Sequence, residues 1–163
     1  SPSNETTIKI CVKKVDQPRL SDHFSRCPEG ETFKIEGPFG HFLHQTANAL
    51  DIFIGTGTGV APFAAFACAG VKNFTLLQGA RSPDELIYRE LFESSSSEFI
   101  PCFSQSSDGA PGYHGRVTDY LNEKLIPGTY QFYLSGQREM ILDALDIIDE
   151  KFTDSKVFTE RFT

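Results

Sequence analysis

The chain has 163 residues, of which 39% are hydrophobic, and this length suits one domain or one domain with part of another. Its net charge of −7, without any basic block, argues against nucleic acid as a partner. The apolar run over 60–71 is too short to cross a bilayer, so no membrane span is expected.

The four cysteines show no pattern of a metal site. They are Cys11, Cys27, Cys68 and Cys102, and no Cys-x-x-Cys pair occurs. A zinc or iron–sulfur site is therefore not expected, and the four histidines are equally scattered. Free thiols are typical of a reducing compartment, which predicts a cytoplasmic protein.

The first part of the chain has the pattern of antiparallel β-structure. Residues 6–15 alternate between apolar and polar, as in a half-buried strand. A loop or short helix follows at 20–26, and a turn leads into a second strand at 32–36. The sequence Gly37-Pro38-Phe39-Gly40 closes this portion.

From residue 46 onward the pattern changes to alternating strands and helices. Strands are predicted near 51–55, 73–79, 98–103, 130–135 and 155–159, and helices near 60–69, 84–93, 116–124 and 137–151. This alternation predicts an α/β fold, a five-stranded parallel sheet with helices on both faces. Ligands of such sheets bind at the carboxyl ends of the strands.

The first of these strands runs into a glycine-rich turn and then a helix. The residues of this turn are Gly55, Thr56, Gly57, Thr58, Gly59 and, three positions on, Pro62. Glycines leave room for a ligand, and the amino end of the helix favours an anion, so the turn predicts a phosphate or pyrophosphate site. The spacing matches neither the usual Rossmann fingerprint nor a P-loop. A tight turn without a ligand stays an alternative.

Small, polar and cationic residues also end the other strands. They are Arg81 and Ser82 after the second strand, Ser104 and Gln105 after the third, Ser135, Gly136 and Gln137 after the fourth, and Glu160 and Phe162 at the last. In a parallel sheet these ends share one edge, so the residues are expected to meet there and to suit a nucleotide. The alternative is that strand ends are polar in any protein.

Several of these motifs, in this order, resemble the ferredoxin–NADP reductase superfamily of flavoenzymes. The glycine turn is similar to the family's nicotinamide-nucleotide turn. The segment from Gly79 through Tyr88 is similar to the part that contacts the adenosine side of the nucleotide, and 115–117 resembles a helix start common in the family. Tyr133-Leu134-Ser135-Gly136 resembles a strand motif in which cysteine is more usual than Ser135, and 160–162 resembles the C-terminal ending beside the flavin.

The resemblance implies an NAD(P)H-dependent flavoprotein oxidoreductase that transfers hydride between nicotinamide and FAD and passes electrons to a carrier protein or other acceptor. It places Ser135 beside the nicotinamide and Glu160 and Phe162 beside the flavin. An arginine after the serine of the third strand is common in members that prefer NADPH; Gln105 stands there and favours NADH, although Arg81 could bind a 2′-phosphate instead.

The resemblance also implies two domains, a partial FAD-binding β-barrel over 1–45 and an NAD(P)-binding domain over 46–163. The family's flavin-anchoring Arg-x-Tyr-Ser/Thr motif is absent from this chain. Ser21 could contact a flavin phosphate or cap a helix. FAD binding is therefore expected to require a missing N-terminal flavin-domain segment, and the isolated chain to be inactive. Two alternatives stay open, a non-catalytic nucleotide-binding module or subunit without its own flavin, and a flavodoxin-like FMN carrier.

Overall fold

A computed structural model describes residues 7–13, 20–37, 39–105 and 109–161. Strands and helices alternate from residue 50 onward. The strands are β1 (Leu50–Thr56), β2 (Thr75–Ala80), β3 (Glu98–Phe103), β4 (Tyr113–His114), β5 (Tyr130–Gly136) and β6 (Lys156–Arg161). The helices are α1 (Leu20–Arg26), α2 (Ala61–Cys68), α3 (Arg89–Ser95), α4 (Val117–Glu123) and α5 (Arg138–Lys151).

All six strands form one parallel sheet in the order β4-β3-β2-β1-β5-β6. The predicted α/β architecture and its five strands are confirmed, and β4 is an addition. This strand has only two residues, Tyr113 and His114, and pairs with the end of β3. Its brevity explains why no apolar run in the sequence indicated it.

Helices cover both faces of the sheet. On one face, which we call the α2 face, α2 and α3 pack on Phe53, Leu76 and Tyr133. On the other, the α5 face, α4 and α5 pack on Ile54, Leu77 and Leu134 and neighbouring residues. Because side chains alternate along a strand, odd-numbered residues of β1 and β5 face α2 and even-numbered ones face α5.

The predicted partial barrel is not shown by the described residues before Leu50. Neither 7–13 nor 31–37 contains an assigned strand, although 20–26 does form the short helix α1. The apolar side chains of the first segment, Ile8, Ile10 and Val12, are exposed. A strand becomes regular only when a neighbour pairs with its backbone and covers its apolar face, and neither occurs for these segments in the residues described.

The helix predicted over 84–93 begins later than expected. A single 3₁₀ turn occupies Pro83–Glu85, and α3 starts at Arg89. Tyr88, immediately before the helix, has a left-handed backbone with φ of 58°. This conformation interrupts an α-helix, so the two helical pieces are separate.

Candidate functional site

A cleft of about 790 Å³ lies at the carboxyl edge of the sheet. It is bounded by the ends of β1, β2 and β3 and by the first turns of α4 and α5. Seven of the residues predicted to bind a cofactor line it: Thr56, Gly57, Thr58, Arg81, Ser104, Gln105 and Gln137. The strand-end residues thus converge on one concave surface, which is where open parallel sheets bind nucleotides.

The three glycines of the turn have different structural roles. Gly57 has a φ of +55°, and a β-carbon there would meet no protein atom within 4 Å. A β-carbon at Gly55 would lie 2.8 Å from Val60 Cγ1 and 2.9 Å from Phe63 Cε2, against α2. One at Gly59 would run into the main chain of β5. Gly57 therefore opens onto the cleft, whereas Gly55 and Gly59 permit close packing of the turn on the protein.

The start of α5 joins the glycine turn through Thr56. The main-chain N–H of Gln137 lies 3.4 Å from Thr56 Oγ1, to which it donates. Gly136, whose φ is +142°, fits beside the same threonine, because a β-carbon there would lie 2.5 Å from Thr56 Oγ1. Gly136 therefore permits close packing against Thr56, and it lies outside the cleft lining. Pro62 is the second residue of α2 and also lies outside the cleft lining.

Besides the predicted Arg81, the cleft contains charged residues that the sequence motifs did not single out as binding residues. Its cations are Arg81, Arg116 and Lys13, and the last comes from the N-terminal segment. Its acids are Glu85, Asp119, Glu139 and Asp143. Two of these acids organise loops: Glu85 Oε2 accepts from Arg81 N at 3.1 Å, and Asp119 Oδ2 accepts from Arg116 N at 2.8 Å. Arg116 could have been found from the 115–117 motif, whereas no local signal marked Lys13.

Ser135 and Glu160 lie on the α2 face, outside the cleft lining, near the carboxyl ends of β5 and β6. Directly paired residues of β1, β5 and β6 form rows across the sheet, which we call rungs. Three of them, numbered in chain order, are Asp51–Gln131–Lys156, Phe53–Tyr133–Phe158 and Gly55–Ser135–Glu160. Ser135 is fully buried, and its hydroxyl has no hydrogen-bond partner among the described residues. Burial also raises the pKa of the half-buried Glu160 carboxyl above its ordinary value. The third rung therefore brings an unsatisfied hydroxyl close to a partly dehydrated carboxyl.

The remaining predicted site residues do not join these two groups. Ser82 and Tyr88 lie outside the cleft lining, and the Tyr88 ring packs 6.2 Å from that of Phe92. Burial, followed by the nearby Cys11, raises the pKa of Tyr88. Ser21 is the second residue of α1, so it stands inside this helix rather than before it. Phe162 lies outside the described residues.

The family of the chain follows from a match over residues 53–146, which fit the family described as "Oxidoreductase NAD-binding domain". The chain belongs to this family. The match contains the glycine turn, the ends of β2 and β3, and the starts of α4 and α5. It confirms the predicted membership of the ferredoxin–NADP reductase superfamily and shows that the chain contains an NAD-binding oxidoreductase domain.

Curated relatives are named as an electron transfer subunit and as reductases. The "Probable dihydroorotate dehydrogenase B (NAD(+)), electron transfer subunit" of Pyrococcus furiosus is 31% identical over 154 residues, which are 94% of this chain and 59% of the relative. One component of the Na(+)-translocating NADH-quinone reductase of Neisseria meningitidis is 30% identical over 72% of this chain and 34% of its own length. "Ferredoxin--NADP reductase B" of Sorangium cellulosum is 28% identical over 71% and 51%.

Solved structures share the fold at lower identity. The "Ferredoxin reductase in carbazole 1,9a-dioxygenase" superposes with a TM-score of 0.69 at 21% identity, over 90% of this chain and 49% of its own. The cytochrome b5 reductase domain of Ulva prolifera nitrate reductase gives 0.66 at 18% identity, over 86% and 64%. The chain spans between 34% and 59% of the length of the three curated relatives named above.

Two features are absent from the described ranges. None of the helices in these ranges has the length and apolar character needed to span a membrane. No group of three or more potential metal-ligating side chains occurs in the same ranges.

Proposed function

We propose that this chain binds NAD(P)H in the cleft at the carboxyl edge and is the nucleotide-binding half of a flavin-dependent reductase. The observation that carries the proposal is the open position of Gly57 in a cleft formed by strand ends, whose lining includes three cations and four acids. The pyrophosphate would lie over Gly57 and Thr58, in the 3₁₀ turn Gly57–Val60 that leads into α2, where the helix dipole favours an anion. Arg81 and Arg116 supply further positive charge.

The reacting edge would be the third rung. When bound, the nicotinamide and FAD supply the hydride chemistry, and the protein orients them. Ser135 fits this role because its buried hydroxyl has a donor and an acceptor to offer and uses neither within the described part of the protein. Glu160 would lie beside the flavin and balance charge there as the flavin becomes reduced. Both residues occupy paired positions, so they would act at one place.

FAD would require chain beyond the residues of this sequence, since the Arg-x-Tyr-Ser/Thr motif does not occur in it. Residues 1–45 would then be the latter part of the flavin barrel, and 46–163 the NAD(P) domain. The exposed apolar side chains of Ile8, Ile10 and Val12 support this, because a covering sheet would bury them. We expect the isolated chain to bind FAD weakly or not at all.

The electron acceptor is proposed to be a carrier or partner protein, by analogy with relatives named as an electron transfer subunit and a ferredoxin–NADP reductase. We also propose a cytoplasmic location, which four unpaired cysteines support. NADH is the proposed nucleotide because Gln105, a neutral residue, follows Ser104 in the cleft.

Stopped-flow flavin reduction by saturating NADH in the full-length protein tests this proposal. Glu160→Gln should lower the reduction rate about tenfold, equivalent to about 1.4 kcal/mol of barrier, with nucleotide affinity nearly unchanged. Ser135→Ala should lower it less. Glu90→Gln, a matched change on the exposed surface of α3 outside the cleft, should leave the rate unchanged. If Glu160→Gln and Ser135→Ala both reduce flavin at the parental rate, the reacting edge is wrongly placed.

A non-catalytic nucleotide-binding module is the second candidate. It is favoured by the cleft that the described residues form, since the flavin-anchoring motif does not occur in this sequence. The absorbance spectrum of the purified full-length protein separates the two candidates. Stoichiometric flavin supports the reductase, and its absence even after addition of FAD supports the module.

A further inference from the structure

Residues 42–45, which we call the strap, cross the α2 face and are fastened to β1 and β5 by a closed hydrogen-bond network. The N–H of Gln45 donates to Tyr133 Oη at 2.9 Å, and Gln131 Nε2 donates to the Gln45 carbonyl at 3.0 Å. The same Gln131 nitrogen lies 3.1 Å from Asp51 Oδ1, and His44 Nε2 lies 2.8 Å from Asp51 Oδ2. The network thus joins the strap to the first two rungs.

Aromatic rings reinforce the attachment at the second rung. The Tyr133 ring stacks on His44 at 5.7 Å between centroids and on Phe158 of β6 at 4.8 Å. Phe42 meets the same ring edge-on at 5.9 Å. Tyr133 is fully buried and lies between the strap and β6. Any displacement of the strap would therefore disturb both β5 and β6, because a close-packed ring cannot shift without moving its neighbours.

The third rung is only two residues farther along these strands. Ser135 follows Tyr133 on β5, Glu160 follows Phe158 on β6, and all four side chains belong to the α2 face. The strap is also the segment through which residues 20–37 connect to the sheet. One buried ring thus connects the incoming N-terminal segment with the two strands that carry Ser135 and Glu160.

We propose that Tyr133 is a positioning residue, which through the strap fixes the flavin-side half of the protein relative to the third rung. This inference rests on the proposed function, since it assigns Tyr133 to the geometry of hydride transfer. Tyr133 would touch neither the nucleotide nor the flavin. It would act through Gln45 on one side and Phe158 on the other.

The test uses Tyr133→Phe, which retains the ring and removes only the hydroxyl. Tyr130→Phe is the matched control, because Tyr130 is on the same strand but packs toward the α5 face, where its hydroxyl donates to the Ile126 carbonyl at 2.7 Å. Asp51→Asn is a second variant, which weakens the network by replacing the carboxylate that contacts His44 and Gln131. Two quantities are measured for each: hydrogen exchange of the Gln45 amide, and flavin reduction by NADH in the full-length protein.

The expected result is a roughly fivefold faster exchange of the Gln45 amide in Tyr133→Phe, the change that loss of one hydrogen bond produces. Flavin reduction at saturating NADH should fall by a similar factor, with the NADH dissociation constant unchanged, and Asp51→Asn should act in the same direction. Tyr130→Phe should alter neither quantity.

Two results would overturn the inference: an unprotected Gln45 amide in the unsubstituted protein, or faster exchange in Tyr133→Phe with flavin reduction at the parental rate. Failure of the unsubstituted protein to bind NADH would instead contradict the proposed function. In that case the strap would have no role in hydride transfer. The exchange data would still show whether the Gln45 amide is hydrogen-bonded to Tyr133.

Discussion

Ser135 and Glu160 occupy directly paired positions on two neighbouring parallel strands, on the same face of the sheet. The serine hydroxyl is buried without a partner among the described residues, and burial raises the pKa of the glutamate carboxyl. Both groups are therefore held in an environment that is costly for a polar side chain unless a ligand compensates. The α2 face at the third rung and the cleft at Gly57 are therefore two separate surfaces at which ligand contact can be tested by substitution.

Gly57→Asn should weaken nucleotide binding without unfolding the protein. Asparagine tolerates the left-handed backbone better than other non-glycine residues, and the site has no neighbouring atoms to clash with. The new side chain should occupy the pyrophosphate position and weaken NADH binding at least tenfold, about 1.4 kcal/mol, in calorimetric titrations. Gly70→Asn, at another open glycine with positive φ, should leave affinity unchanged. Equal NADH affinities in the two variants would show that the glycine turn has a structural role and does not contact the nucleotide.

Gly59→Ala should affect folding more than binding. Its β-carbon would collide with the main chain of Ser135 and Gly136, so β5 or the turn must move. We expect a loss of about 1–3 kcal/mol in the free energy of unfolding, measured in urea, because overpacking carries that cost. Gly57→Asn serves as the comparison. An alanine variant as stable as the parent would contradict the close packing described for this turn.

The pH dependence of stability should change when Glu160 is replaced. Because the folded-state pKa of Glu160 is raised, the folded protein holds this proton more tightly than the unfolded chain does. The contribution of Glu160 to stability is therefore most favourable at low pH, and it declines as pH rises through the folded-state pKa. Glu160→Gln should be more stable than the parent at neutral pH. The difference should shrink as pH falls through the raised folded-state pKa and should be lost below pH 4.5, the ordinary value for this carboxyl. Urea titrations across pH, with the exposed Glu90→Gln as control, check this; a difference independent of pH would refute it.

Nucleotide preference should respond to position 105. Gln105→Arg adds a cation after Ser104 and should raise affinity for NADPH about tenfold while leaving NADH nearly unchanged, since only NADPH carries the 2′-phosphate. Gln137→Arg, at another glutamine of the cleft, should raise the affinity for both nucleotides alike, because the pyrophosphate is common to both. Fluorescence titration with each nucleotide separates these cases. Parental preference for NADPH by tenfold or more would refute the NADH assignment.

Much of the fold followed from the sequence because its periodicities are local. The alternation of strands and helices predicted the parallel sheet and therefore a shared carboxyl edge, where Arg81, Ser104 and Gln137 do meet. The short β4 was beyond prediction, since two residues form no pattern. The barrel strands were predicted from alternation alone, but the pairing that makes a strand depends on other segments.

The details of the site depended on three-dimensional packing. Spacing alone gave Gly55, Gly57 and Gly59 the same role, but the structure separates them by what a β-carbon would touch. Tyr88 was grouped with the nucleotide contacts because of its neighbours in sequence, yet its left-handed backbone and late helix start leave it outside the cleft. Lys13 enters the cleft from a distant segment, so nothing local indicated it.

The most direct test of the central claim is titration of the ¹⁵N-labelled chain with NADH, followed through amide chemical shifts. We predict saturable shifts at Gly57, Thr58, Arg81 and Gln137, which line the cleft from three different strand ends. The same titration of Gly57→Asn should need at least tenfold more NADH, equivalent to about 1.4 kcal/mol. Absence of saturable shifts, or shifts confined to residues away from this edge, would contradict a nicotinamide nucleotide site here.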